Sequence, residues 1–329
     1  MWGHIATGVS VRFVYAFHIP LFFFLSGMVF CPDKYTSFVP FLKRKVQTLI
    51  VPYIIYSVIT WAIWAAFSYL SHSSLESYWF PLLETFIAQG SEGYLVHNVP
   101  LWFVSCLFVV ELAYYWIGKL KDVWAIVFSI VLAVLGYVLV NKVEFFDFTT
   151  LPWSIEVAMM AMIFYCLGHQ MVKHIGYAKV QETVGSRKIL SVLLMVVAFV
   201  LVYFGANLNG QPSMGHANVH NPLLFYPTAL VGVFGMLVLS SLFSLSKFNE
   251  KGYFNGLKWF GRNSFIAMAI HNPIKGFIIV ALAYAFGCGK MDIMRNTPTA
   301  LLAWIICIAA TVFCMYFIVK LKQRLRKEL

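Results

Sequence analysis

The sequence predicts an all-α, polytopic transmembrane bundle. Three properties point there: 61% of the 329 residues are hydrophobic, only 11% are charged, and the mean hydropathy is +0.79. Soluble domains carry about 45–50% apolar and about 25% charged residues. A soluble globule of this length has too little interior to hide so many apolar side chains, so soluble, disordered and fibrous classes are excluded.

A bilayer-spanning helix needs about 20 mostly apolar residues. Nine runs meet that requirement: 14–31, 47–70, 100–118, 123–140, 153–172, 188–206, 222–245, 263–286 and 298–319. No long polar insertion separates them, and neither a repeat nor a low-complexity tract is evident. The expectation is a single integral-membrane domain over residues 1–329.

The net charge of +11 comes from 24 Lys and Arg against 13 Asp and Glu. Nineteen of the basic residues fall in alternate loops and the C-terminal tail, as Lys34, Lys43–Lys45, Lys119, Lys121, Lys173, Lys179, Arg187, Lys188, Lys247, Lys251, Lys258, Arg262 and five beyond Val319. Only Arg12, Lys142, Lys290 and Arg295 fall in the opposite set. That asymmetry follows the positive-inside rule and places the C-terminus in the cytoplasm, so the charge reports orientation and not nucleic-acid binding. Nine spans then leave residues 1–13, 71–99 and 206–221 outside. Within 71–99, the segment SYWFPLLETFIAQ is apolar enough to lie in the interface as a short helix.

The six cysteines form no C-x-x-C pair and mostly lie within apolar runs, so they behave as small hydrophobes. No metal-ligand spacing, G-x-G-x-x-G or P-loop occurs.

Polar groups at membrane depth are costly and therefore mark candidate sites. Glu111 lies in FVVELAYYW, and His271 and Lys275 lie one helical turn apart in AIHNPIKGF. With Trp102 they outline an expected intramembrane cavity. Pro273 frees a backbone carbonyl, which suggests a kinked, water-accessible stretch. The plainer reading is that Glu111 and Lys275 pair inside the bundle. His4 and His18 stand near the outer surface, and either suits a general base acting on a hydroxyl, against the plainer reading of an interfacial histidine. Ser26-Gly27 in the Phe-rich helix has a packing explanation, since small residues let helices approach closely. Lys43, Arg44 and Lys45 suit the phosphates of a nucleotide-like donor or simply anchor the topology.

FHIPLFFFLSGMVF, FLKRKVQTLIVPYIIYS, VPLWFVSCLFVVEL and FGRNSFIAMAIHNPI occur in an order and spacing that resemble the integral-membrane acyltransferase-3 family, which includes bacterial polysaccharide O-acetyltransferases. The resemblance covers essentially the whole chain. It implies acetyl or other short-acyl transfer from cytoplasmic acyl-CoA to a hydroxyl of an extracytoplasmic or lipid-linked sugar, in a bacterial inner membrane. Acyl-CoA is a donor substrate here, with no bound cofactor or metal. Family members begin with a helix bearing an Arg upstream of a His; His4 matches that His, and the Arg position falls before Met1, so the resemblance implies that the chain starts part-way through the family's first helix. Arg44 matches the family's basic position, which favours the donor-phosphate reading over the anchor. Trp102 and His271 match the tryptophan and histidine of the later motifs. The competing function is a non-enzymatic exporter of a glycan or lipid-linked sugar, but repeats and paired broken helices, the marks of many transporters, are missing from the sequence.

Overall fold

A computed structural model of the chain describes residues 3, 5, 8–70, 78–90, 94–142, 151–246, 249 and 252–328. Among the described residues nine helical segments are long and apolar enough to cross a membrane: Val9–Met28, Phe38–Leu70, Val99–Ile117, Asp122–Val140, Pro152–His174, Lys188–Asn209, Pro222–Ser244, Ser264–Phe286 and Thr297–Arg324. The individual helices are α1 (Val9–Tyr15), α2 (His18–Met28), α3 (Phe38–Lys45), α4 (Val51–Leu70), α5 (Phe80–Ile87), α6 (Trp102–Ile117), α7 (Asp122–Lys142), α8 (Ile155–His174), α9 (Tyr177–Ser186), α10 (Lys188–Asn209), α11 (Pro222–Ser244), α12 (Asn255–Arg262), α13 (Ser264–Phe286), α14 (Lys290–Arg295) and α15 (Thr297–Glu328).

Two spans start earlier than the hydropathy suggests. The first begins at Val9, with Arg12 exposed on its surface, and is broken between α1 and α2. Pro20 has no N–H for the Ala16 carbonyl, so one continuous helix cannot form there. The second begins at Phe38, because α3 runs through a π-helical turn, Val46–Ile50, into α4. Pro52 cannot donate to the Thr48 carbonyl, and the wider π turn absorbs the mismatch. Lys43, Arg44 and Lys45 therefore ride on a helix and not in a loop.

The bundle has a centre and a lipid-facing periphery. In α6 and α8, 67% of the apolar window is buried, against 22% in α7 and α10. The rim is consequently apolar outward, with Ile189, Leu193, Val197, Leu201 and Phe204 of α10 exposed. At the centre, α2 crosses α8 with little separation. A Cβ on Gly27 would land on the Tyr165 carbonyl oxygen, and one on Gly168 would land on that of Phe24. The two glycines make that crossing, which accounts for the small residue within the Phe-rich helix.

The described part of the 71–99 segment is more than an external loop. Helix α5 forms within it, turning Phe80, Leu83 and Phe86 outward and burying Pro81, Glu84 and Thr85, as an interfacial helix would. In the strap that follows, Ala88, Gln89, Leu95, His97 and Asn98 are buried. Non-helical backbone survives inside a membrane bundle only where protein covers it and satisfies its polar groups. Here side chains do so. Tyr53 Oη donates to the Thr85 carbonyl (2.6 Å), Ser105 Oγ to that of Ala88 (3.3 Å), and the Leu95 N–H donates to Glu84 Oε2 (3.1 Å).

Candidate functional site

At the basic end, α3 presents three cations in its last turn. Lys43 and Arg44 are exposed, and neither has an ion-pair partner among the described residues. Lys45 is different. Its Nζ lies 2.8 Å from Glu111 Oε2, with both side chains largely buried, and 5.4 Å from the centre of the Phe41 ring. Glu111 is thus neutralised by Lys45 and not by Lys275, which corrects the pairing suggested by their common placement in apolar runs. Sequence distance concealed the partner: α3 enters as an extension of a span, so its cations reach the level of Glu111. Beside this pair, Tyr165 Oη stands 3.5 Å from Glu111 Oε1, and Tyr114 Oη is hydrogen-bonded to His169 Nδ1 at 3.0 Å.

His4 lies outside the described residues. Its neighbours are held: the Gly3 carbonyl accepts from Tyr15 Oη (3.2 Å), and Ile5 is buried against the cluster containing Ile293 and Ala300. His18 is the first residue of α2, and its Nδ1 bonds the Val14 carbonyl at 2.9 Å. It bridges the break between α1 and α2, a helix-entry role.

Trp102 and Glu111 are carried by α6, His271 and Lys275 by α13. Trp102 sits at the start of α6 between two glycines; Cβ atoms on Gly90 and Gly215 would each come within 2.9 Å of its ring. Glu111 lies about 13 Å farther along the same helix, at 1.5 Å per residue. His271 is buried in α13, where Nδ1 faces the carbonyls of Ala267 (3.1 Å) and Met268 (2.9 Å), and the His271 carbonyl accepts from Cys307 Sγ at 3.9 Å. Lys275 is half-buried one turn on. The carbonyl that Pro273 frees is that of Ala269, and it does not face water: Asn98 Nδ2 takes it at 2.6 Å.

The sequence reading passed over His97 and Asn98. His97 is 3% exposed, and its Nδ1 lies 3.0 Å from Thr60 Oγ1. Burial lowers its pKa to about 4, with the Pro81 carbonyl acting in the opposite direction, so the imidazole is neutral at pH 7. Burial also raises the Glu84 carboxyl above its ordinary range, against the effect of the Leu95 N–H. A signal existed in YLVHNVPLWF, where two polar side chains precede the LWF motif. A further one was Pro273, whose orphaned carbonyl needs a donor.

The strap end also gathers the unusual backbone. Among the described residues every non-glycine with positive φ lies there: Ala88, Leu95, Trp153, Ser154, Ala217 and His220, at φ between 50° and 62°. Such conformations persist only where surroundings over-determine them, and they concentrate at sites with a task.

A family model described as an acyltransferase domain, of the acyltransferase-3 type, matches residues 1–320. The chain belongs to that family. No curated protein and no solved structure matches it. This acyltransferase is a multi-pass membrane protein, and family membership establishes acyl transfer as its general chemistry.

Proposed function

We propose that this acyltransferase moves an acetyl or other short acyl group from cytoplasmic acyl-CoA to a hydroxyl of an extracytoplasmic or lipid-linked sugar. The supporting observation at the donor end is the division of labour on α3. Lys45 is committed to Glu111, whereas Lys43 and Arg44 are exposed and pair with no carboxylate among the described residues, in the form a diphosphate requires. Lys45 then steadies the helix that carries the two phosphate ligands.

His4 is the proposed base. Its imidazole takes the proton of the sugar hydroxyl while that oxygen attacks the thioester carbonyl, forming a C–O bond. The tetrahedral oxyanion collapses, the C–S bond breaks, and the departing thiolate receives the proton from the imidazolium. An ester and free CoA thiol result, and the histidine returns neutral. The acceptor and donor are approached from opposite ends of the bundle, with the basic α3 at one and the buried strap at the other.

The test incubates membranes containing the protein with acetyl-CoA labelled in the acetyl group and a lipid-linked or polymeric glycan. Label in base-labile ester linkage on the glycan supports the assignment. Glycan export without any label, by protein of normal abundance, favours the exporter instead.

A further inference from the structure

Asn98 and Ala269 come from distant parts of the chain and meet over a defect that Pro273 creates. In an α-helix the Ala269 carbonyl would accept from the N–H of residue 273, and proline has none. Asn98 Nδ2 supplies the missing donor at 2.6 Å. The amide orientation is fixed by chemistry, since a carbonyl is an acceptor only and the nitrogen must face it. Asn98 is itself fully buried, and its backbone is set by two turn bonds, from its N–H to the Leu95 carbonyl (2.7 Å) and to its carbonyl from the Leu101 N–H (3.1 Å).

Three consecutive carbonyls of α13 are thereby held by side chains. Ala267 and Met268 face Nδ1 of His271, and Ala269 faces Asn98. The contact falls at the sixth residue of α13, about 8 Å from its N-terminal end at 1.5 Å per residue. The strap thus grips α13 within one turn of His271. Its other ties run to α4 and α6, through His97 to Thr60, Thr85 to Tyr53, and Ala88 to Ser105. Asn98 is the tie that adds α13 to this frame.

We propose that Asn98 is a positioning residue for acyl transfer, latching the strap to α13 at the carbonyl orphaned by Pro273 and thereby fixing the His271 segment. The proposal rests on the acyl-transfer reading above. A purely structural alternative assigns Asn98 only the satisfaction of one buried carbonyl. The two roles separate in a double variant. In Pro273→Ala the new N–H closes the helical bond, so Ala269 no longer needs Asn98, but the strap in Asn98→Ala/Pro273→Ala remains unlatched.

The experiment measures thermal unfolding in detergent, amide hydrogen exchange over 94–101, and acetyl transfer from labelled acetyl-CoA to the glycan, for the full chain, both single variants and the double. Expected are a lowered melting temperature in Asn98→Ala, its recovery in the double variant, and faster exchange over 94–101 in both. Transfer stays low in the double variant, by about a hundredfold in kcat for a misplacement on the order of 1 Å. Return of transfer to the wild-type level in the double variant overturns the proposal, as does Asn98→Ala with unchanged exchange and transfer. A folded wild-type protein that transfers nothing overturns the acyl-transfer reading instead, and the exchange rates still decide whether the latch exists.

Discussion

Lys45 and Glu111 form an ion pair at 2.8 Å between the α3 extension of the second span and α6, one of the two most buried helices. Removing one member of a buried pair strands the other, whereas replacing both with apolar groups of similar size is often tolerated. Glu111→Ala is expected to lower stability by about 3 kcal/mol, and Lys45→Met/Glu111→Leu to recover most of it, as read by unfolding in detergent. Equal loss in the single and double variants contradicts a specific pairing.

Arg44→Ala is expected to raise the KM for acyl-CoA several-fold while changing kcat little, because a phosphate contact remote from the thioester is equal in ground and transition states. Lys45→Met is expected to act on folding more than on donor KM, since its charge is already used by Glu111. Steady-state kinetics over a range of acyl-CoA concentrations distinguishes the two, and an unchanged KM in Arg44→Ala reduces Arg44 to a topological anchor.

Gly27→Ala places a methyl group onto the Tyr165 carbonyl oxygen, and Gly168→Ala places one onto that of Phe24. Each is expected to cost about 1–3 kcal/mol through overpacking, and the pair less than the sum, because moving the helices apart once relieves both. Melting temperatures of the two single variants and the double provide the check.

Much of this was legible in the sequence. Nine spans, the short helix within 71–99 and the packing role of Gly27 follow from apolar run length, local amphipathicity and residue size, all local properties. The starts at Val9 and Phe38 were hidden by Arg12 and by Lys43–Arg44–Lys45, charges that end a hydropathy window without ending a helix. The partner of Glu111 and the burial of His97 and Asn98 depend on how distant segments meet. Residues 94–98 resemble an exterior loop in composition, and only the orphaned carbonyl at Ala269 hinted that a donor had to come from elsewhere.

His97 offers a pH test. Its pKa falls from the ordinary 6.5 to about 4 on burial, so the unfolded chain binds more protons between those values. Stability from this group is therefore present above pH 6.5 and lost as pH falls toward 4, at up to about 1.4 kcal/mol per pH unit. Glu84, raised by burial, acts in the opposite sense and is common to both proteins compared. His97→Asn is expected to show a shallower fall in melting temperature over that window than the wild type. Parallel curves contradict a buried neutral imidazole.

The most direct test of transmembrane acyl transfer uses sealed inverted vesicles, with labelled acetyl-CoA added outside, at the cytoplasmic face, and the glycan acceptor enclosed in the lumen. The expected result is label in ester linkage on the luminal glycan, reduced about 10²–10⁴-fold by His4→Ala at matched protein levels, the contribution of a general base. Near-normal labelling by the His4→Ala protein, or none by abundant folded wild type, contradicts it.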